Sequence, residues 1–263
     1  MSRIDSDAIV LRHVRQGDTS HVVTLFAREG GKVAVMAKGS RKPGSRFGAG
    51  LDLFNHTRIG YRARAGRDLV FLDTCELEQD FASLATDVLG YAAAGVCSEL
   101  VDRLVPDGAP SQEIFELLLS AFSTLAATAP LPAGQELRSV AVAICFQLKL
   151  MDELGIAPEL TGCVHCGDAE LLGSAAMSAE RGGLICGNCR ASERAHRLSL
   201  AAVDLLRGAA FDGLERSMTA AEPPTRGTLL EARSALDAVL EYHHQAQPKR
   251  LKSRKFLDSL WLS

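Results

Sequence analysis

Near residue 80 the apolar side chains of this chain change their spacing, from every second position to every third and fourth. No single element satisfies both periods, so the change divides the chain into a strand-rich opening and a helical remainder. DAIVLRHV, HVVTLFAR, GKVAVMAKG, LDLFNHTRIGYRA and DLVFLDTCELE read as five short strands. Turn signals separate them at Gln16-Gly17-Asp18, Glu29-Gly30-Gly31, residues 37–50 and Ala65-Gly66-Arg67. Gly30-Gly31, between two alternating runs, predicts a tight hairpin.

Five short antiparallel strands in one stretch are expected to close into a barrel, because closure removes unpaired edges. The predicted form is a five-stranded OB-fold over residues 1–80. A helical bundle is predicted over 81–263, which makes the class α+β. SLATDVLGYAAAGVCSELVDRLV stops at Pro106-Asp107-Gly108. SQEIFELLLSAFSTLAATA opens with Ser111 as N-cap. GQELRSVAVAICFQLKLMDELG is apolar on nearly every side, as the central helix of a bundle would be. LSLAAVDLLRGAAF, TRGTLLEARSALDAVLEYHHQ and a basic tail ending in FLDSLWL complete the helical set. In the tail, Phe256, Leu257, Leu260 and Trp261 are expected to dock while the cations face outward.

Between these helices lie Cys163-Val-His-Cys166 and Cys186-Gly-Asn-Cys189, separated by 19 residues. This spacing is that of a zinc knuckle. Two residues between cysteines let both thiolates of one turn reach one ion, and two such turns make a tetrahedron. Cys163, Cys166, Cys186 and Cys189 are therefore the predicted ligands of one structural Zn2+, in an insertion at about 160–190. Four thiolates leave no open position for catalysis, and His165 lies between two better ligands. The other three cysteines, Cys75, Cys97 and Cys145, sit among apolar residues and are expected in the core.

The chain as a whole has a formal charge of −3, yet residues 28–67 hold ten Lys and Arg against two Asp and Glu. At the centre is AKGSRKPGSRFGAG, residues 37–50, whose glycines and proline suit neither helix nor strand. It resembles a phosphate-binding GxxxxGK[ST] loop only in outline: Ser45 stands at the lysine position, and another strand is expected to follow. The better reading is a flexible arm carrying Lys38, Arg41, Lys42 and Arg46 toward a polyanion. Arg62, Arg64 and Arg67 would extend that face, with Phe47, Phe54 or Tyr61 as candidates for base stacking. A solvated, merely solubilising surface is the alternative. No metalloprotease motif, nucleophile elbow or close carboxylate pair in a glycine setting is present, so no catalysis is expected. The N-terminal residues lack a basic segment followed by an apolar run, and no stretch nears the roughly 18 apolar residues of a membrane span. The expected location is the cytoplasm.

AKGSRKPGSRFG in an expected barrel, FQLKLMDELGIAPEL before CVHCG, then RGGLICGNC and PKRLKSRKFLDSL, occur in an order that resembles the RecO family of bacterial DNA repair proteins. The resemblance implies a recombination mediator, not an enzyme. Such a protein binds single- and double-stranded DNA, anneals complementary strands, and works with RecR, single-strand DNA-binding protein and, indirectly, RecA in the nucleoid. It also places DNA contacts on the barrel, at Lys38, Arg41, Lys42 and Arg46. A zinc-ribbon adaptor of transcription or translation, binding RNA or protein, is the alternative reading.

Overall fold

The computed structural model describes residues 2–63, 69–127, 129–171, 174–190, 195–215, 219, 221–244 and 251–262. Its opening strands are β1 (Ser2–Gln16), β2 (Ser20–Ala27), β3 (Gly31–Ala37), β4 (His56–Ala63) and β5 (Leu69–Gln79). They form a closed barrel in the order β1-β2-β3-β5-β4. All pairings are antiparallel except β3 with β5, which is parallel. This is the predicted OB-type barrel. A bulge between Val10 and Arg12 bends β1, so that one long strand pairs with β2 and β4. Inward residues Val10, Val23, Leu25, Val35, Ile59, Val70 and Leu72 fill the barrel.

One predicted strand is shorter than its sequence run. LDLFN does not join β4: residues 48–51 form a 3-10 turn, and Phe54 takes a left-handed backbone with φ of 74°. Asn55 fastens this corner. Its amide donates to the Ala49 carbonyl (2.8 Å), and its side-chain oxygen accepts from the Phe81 N–H (3.0 Å). The alternation in the run is thus local packing rather than pairing.

Helices follow as α1 (Val88–Leu104), α2 (Gln112–Ala127), α3 (Leu137–Glu153), α4 (Leu200–Asp212), α5 (Arg226–His244) and α6 (Lys252–Trp261). Ser111 caps α2 as predicted, accepting from the Ile114 N–H at 3.1 Å. The chain forms two compact units, Met1–Ala82 with Ser98–Ser123, and Ser83–Cys97 with Thr124–Ser263. Residues of α1 and α2 fall into both. In the first unit Phe115 and Phe122 of α2 meet the barrel: Phe122 lies 5.1 Å from Phe54 and 5.7 Å from Phe81, ring to ring, and Arg28 stacks on Phe115 at 4.2 Å. Gly31, at φ +64°, lies against the backbone of Ala109, where any β-carbon would collide.

In the second unit α3 is central, and thirteen of its residues are buried. Cys97 and Cys145 are buried in this unit and Cys75 in the barrel, as expected of core thiols. The tail departs from its predicted orientation. Leu257 and Trp261 dock, but Phe256 is half exposed and Arg254 turns inward, only 4% exposed. Arg254 donates to both Asp237 oxygens (2.6 and 2.8 Å) and to Gln147 Oε1 (2.5 Å), while Gln147 Nε2 donates to Asp237 (3.1 Å). The reason is charge matching: α5 buries a carboxylate, and a guanidinium fork is the group that satisfies both of its oxygens.

Removing one partner leaves a buried charge alone. Asp237→Ala is expected to lower unfolding free energy by about 3–5 kcal/mol, read as a fall in the urea midpoint. Adding Arg254→Met should restore much of that loss. A single variant as stable as the parent would mean the pair carries no weight.

Candidate nucleic-acid interface and metal centre

The connection between β3 and β4 presents the basic stretch, and it is an ordered loop rather than the flexible arm predicted. Successive turns hold it: Lys42 N–H donates to the Gly39 carbonyl, Ser45 to Lys42, and Gly48 to Ser45. Arg41 ties it to the β1–β2 turn. Its backbone N–H donates to Thr19, and its guanidinium to the carbonyls of Gly17 (3.2 Å) and Asp18 (3.0 Å). Phe47, a predicted stacking residue, is 3% exposed and plugs the barrel. Phe54 and Tyr61 are buried too. An aromatic among glycines gains more from an apolar interior than from water, and sequence proximity to cations does not reveal that.

Lys38, Arg41, Lys42 and Arg46 are all exposed. Among the described residues no carboxylate forms an ion pair with any of them. Four other barrel cations differ. Arg12 pairs with Asp102 (3.3 Å), Lys32 with Asp107 (3.0 Å), Arg28 with Glu116 (2.5 Å) and Arg62 with Asp73 (2.8 Å). Arg12, Lys32 and Arg103 line an open groove of about 680 Å³, but Asp102 and Asp107 line it as well. Among the described residues Arg15 and Arg58 are also exposed without an ion pair, so the loop carries four of the six barrel cations that have none. Arg62 lies on the outer face of β4 with its charge partly offset, and Arg64 and Arg67 lie outside the described residues. Two imidazoles stand beside the loop. His13 and His21 are 4.9 Å apart, and His21 Nδ1 shares a hydrogen bond with Ser40 Oγ at 3.1 Å. Burial, then the charges of His13, Arg41 and Arg15, hold His21 below the usual histidine range. Sequence reading passed over this pair, and it passed over Phe71 on β5, which is exposed beneath Lys38.

The four predicted ligand cysteines converge. Their sulfurs all lie within 4.8 Å of one another, with Cys166 and Cys186 at 3.8 Å. A tetrahedron with metal–sulfur bonds near 2.3 Å has edges of about 3.8 Å, so the donor set fits one soft metal ion. Gly167, at φ +79°, makes the first knuckle, its N–H donating to the Cys163 carbonyl (2.8 Å). In the second, a β-carbon on Gly187 would collide with Ser174 Oγ. The thiols compete for charge. Burial pushes Cys163 up, but N–H groups of Cys186, Cys166 and His165 outweigh it and bring it to about 6. Burial and the neighbouring sulfurs push Cys189 up to about 12. Four thiolates together need a cation.

The insertion carries more structure than two knuckles. Strands β6 (Ala175–Ser178), β7 (Gly183–Cys186) and β8 (His196–Leu198) form a sheet in the order β7-β6-β8. Runs of three or four residues are too short to show alternation in sequence. Arg207 of α4 anchors the insertion, donating to the carbonyls of Leu160 (2.7 Å), Thr161 (3.0 Å) and Ala169 (3.3 Å). No residue-level signal marks it.

Comparison with known proteins places both regions. The family model described as Recombination protein O N terminal matches residues 1–81, and Recombination protein O C terminal matches 85–253. A DNA repair protein RecO of Anaeromyxobacter dehalogenans (strain 2CP-C) is 35% identical over 260 residues, covering 99% of this chain and 98% of its own length. The DNA repair protein RecO of Symbiobacterium thermophilum is 31% identical over 265 residues, with 99% and 98% covered. That of Heliobacterium modesticaldum is 38% identical over 188 residues, with 70% and 64% covered.

Phe47 is the plug on which the loop depends. Phe47→Ala is expected to cost about 3–5 kcal/mol and to speed tryptic cleavage after Arg41. Cleavage at the parental rate would show that the backbone bonds alone hold the loop.

Proposed function

The chain belongs to the RecO family of DNA repair proteins, and from that premise we propose that it binds single- and double-stranded DNA, anneals complementary strands and assists recombinase loading. The observation that carries the DNA-binding part is the group of four exposed, carboxylate-free cations on the β3–β4 loop. Each neutralised phosphate releases condensed counterions, which drives binding without regard to sequence. Arg41 and Arg46 offer planar forks to phosphate oxygens, and Lys38 and Lys42 offer point charges. Holding two strands against one cationic loop lowers their mutual repulsion. It also raises the local concentration of complementary bases, so pairing is faster with no covalent step.

RecR, single-strand DNA-binding protein and, indirectly, RecA are the proposed partners, on the strength of the family alone. The proposed setting is the cytoplasm, at the nucleoid. Among the described residues no helix is long and apolar enough to cross a membrane. Zinc is the proposed ion at Cys163, Cys166, Cys186 and Cys189, where it supplies a cross-link and no open coordination position. The insertion is then a staple for the second unit, and Arg207 fixes it to α4.

Affinity for an oligonucleotide should fall with salt by about 0.7 in log K per phosphate for each tenfold rise. Arg41→Ala with Lys42→Ala is expected to weaken binding and to lower that slope by about 1.4. Lys42→Ala alone separates charge from the carbonyl bonds that Arg41 makes. An unchanged slope removes the loop from the mechanism. Folded RNA outcompeting single-stranded DNA would favour the adaptor reading instead.

Elemental analysis is expected to find one zinc per chain. Cys163→Ser with Cys166→Ser should lower stability by several kcal/mol, on the order of a lost structural metal, and leave the DNA affinity of the folded fraction intact. A large affinity loss in a fully folded variant would contradict the staple.

A further inference from the structure

Pairing registers carry one row of side chains across the outside of the barrel. Val14 opposes Val22, Val22 opposes Met36, Met36 opposes Phe71, and Phe71 opposes Arg62. Directly opposed residues share a face of a sheet. Their sequence neighbours Val23, Val35, Val70 and Leu72 are buried in the barrel, so the row points outward. Val14 is 48% exposed and Phe71 49%. Val22 and Met36 between them are half-buried. From β1 to β5 the row crosses four strands, roughly 14 Å at ordinary strand spacing.

A single exposed apolar side chain on a soluble protein is ordinary; an apolar row rimmed by charge is not. Cations rim this one. Lys38 Nζ stands 4.6 Å from the Phe71 ring centroid, and Arg62 lies opposite the same ring, its Nε 2.8 Å from Asp73. Arg41, Lys42 and Arg46 follow on the loop that leaves the same end of β3. An apolar surface with cations at its edge matches a chain that alternates flat apolar faces with anionic links. Unpaired nucleotides are such a chain; in a duplex the base faces are hidden in the stack.

We propose that the Val14–Val22–Met36–Phe71 row is a platform for unpaired bases, on which Phe71 stacks against one base while Lys38 holds an adjoining phosphate, so that this face selects single strands over duplex. The assignment rests on the DNA-binding reading above and names the form of DNA that this face takes. Stacking occupies the flat face of a base and leaves its pairing edge free, which suits a surface from which strands anneal.

The test uses the full-length, zinc-loaded protein with an oligothymidylate of about 16 nucleotides, the upper site size for one such barrel, and a blunt duplex of equal length. Phe71→Ala is expected to weaken oligothymidylate binding about fivefold or more. Duplex affinity and both salt slopes should stay unchanged, because no phosphate contact is lost. Phe71→Tyr should restore the affinity. In Phe71→Trp the introduced indole should be quenched by oligothymidylate and not by duplex, against the constant signal of buried Trp261. Phe71 is exposed, so its variants keep the fold, checked by the thermal midpoint.

Equal effects on both DNA forms, no effect on either, or an unquenched indole at saturation overturn the platform and leave the loop reading standing. Parent protein that binds neither probe in a salt-sensitive way overturns both.

Discussion

The barrel depends on one pairing. β3 runs parallel to β5, with Ala34, Val35 and Met36 against Leu69, Val70 and Phe71. The chain reaches that pairing only after leaving β3, crossing the basic loop and laying β4 down antiparallel to β1. Closure removes both exposed edges at once. It also forces the β3–β4 connection across the end of the barrel, where Phe47 enters the interior and the loop cations remain outside. An open sheet would leave the same residues without an interior for Phe47, and the loop without its anchor.

Charge compensation then decides which cations can act. Arg12, Arg28, Lys32 and Arg62 each face a carboxylate, whose opposite charge offsets their field nearby. The loop lacks acids, so its field is not cancelled nearby. Counting charges along the chain gives the whole segment 28–67 equal weight, whereas carboxylate partners set Arg28, Lys32 and Arg62 apart from the four loop cations.

The second unit is held by polar cross-links in places where apolar packing would be the common solution. Arg254, Asp237 and Gln147 join α6, α5 and α3 through one buried set of hydrogen bonds. Arg207 collects three carbonyls of the cysteine insertion. Both are guanidinium groups whose several donors satisfy otherwise orphaned acceptors, and both specify one arrangement of elements more sharply than a methyl contact could. The cysteine quartet does the same within the insertion, with four sulfurs drawn around one point.

From sequence alone came the change of period, the five strands, the cap at Ser111, and the spacing of Cys163, Cys166, Cys186 and Cys189. Each is a local property: alternation, helical spacing, turn chemistry and ligand separation act within one element or one knuckle. The basic loop was legible for the same reason, as composition. Only the tertiary structure decided that Phe47 is a plug, that Arg254 is buried, that Arg207 holds the insertion, and that Phe71 stands exposed opposite Met36. Those outcomes depend on which distant residue lies opposite, and opposition is set by barrel closure and register. One strand of alternating residues has two faces, and nothing in it says which will find a partner across the sheet.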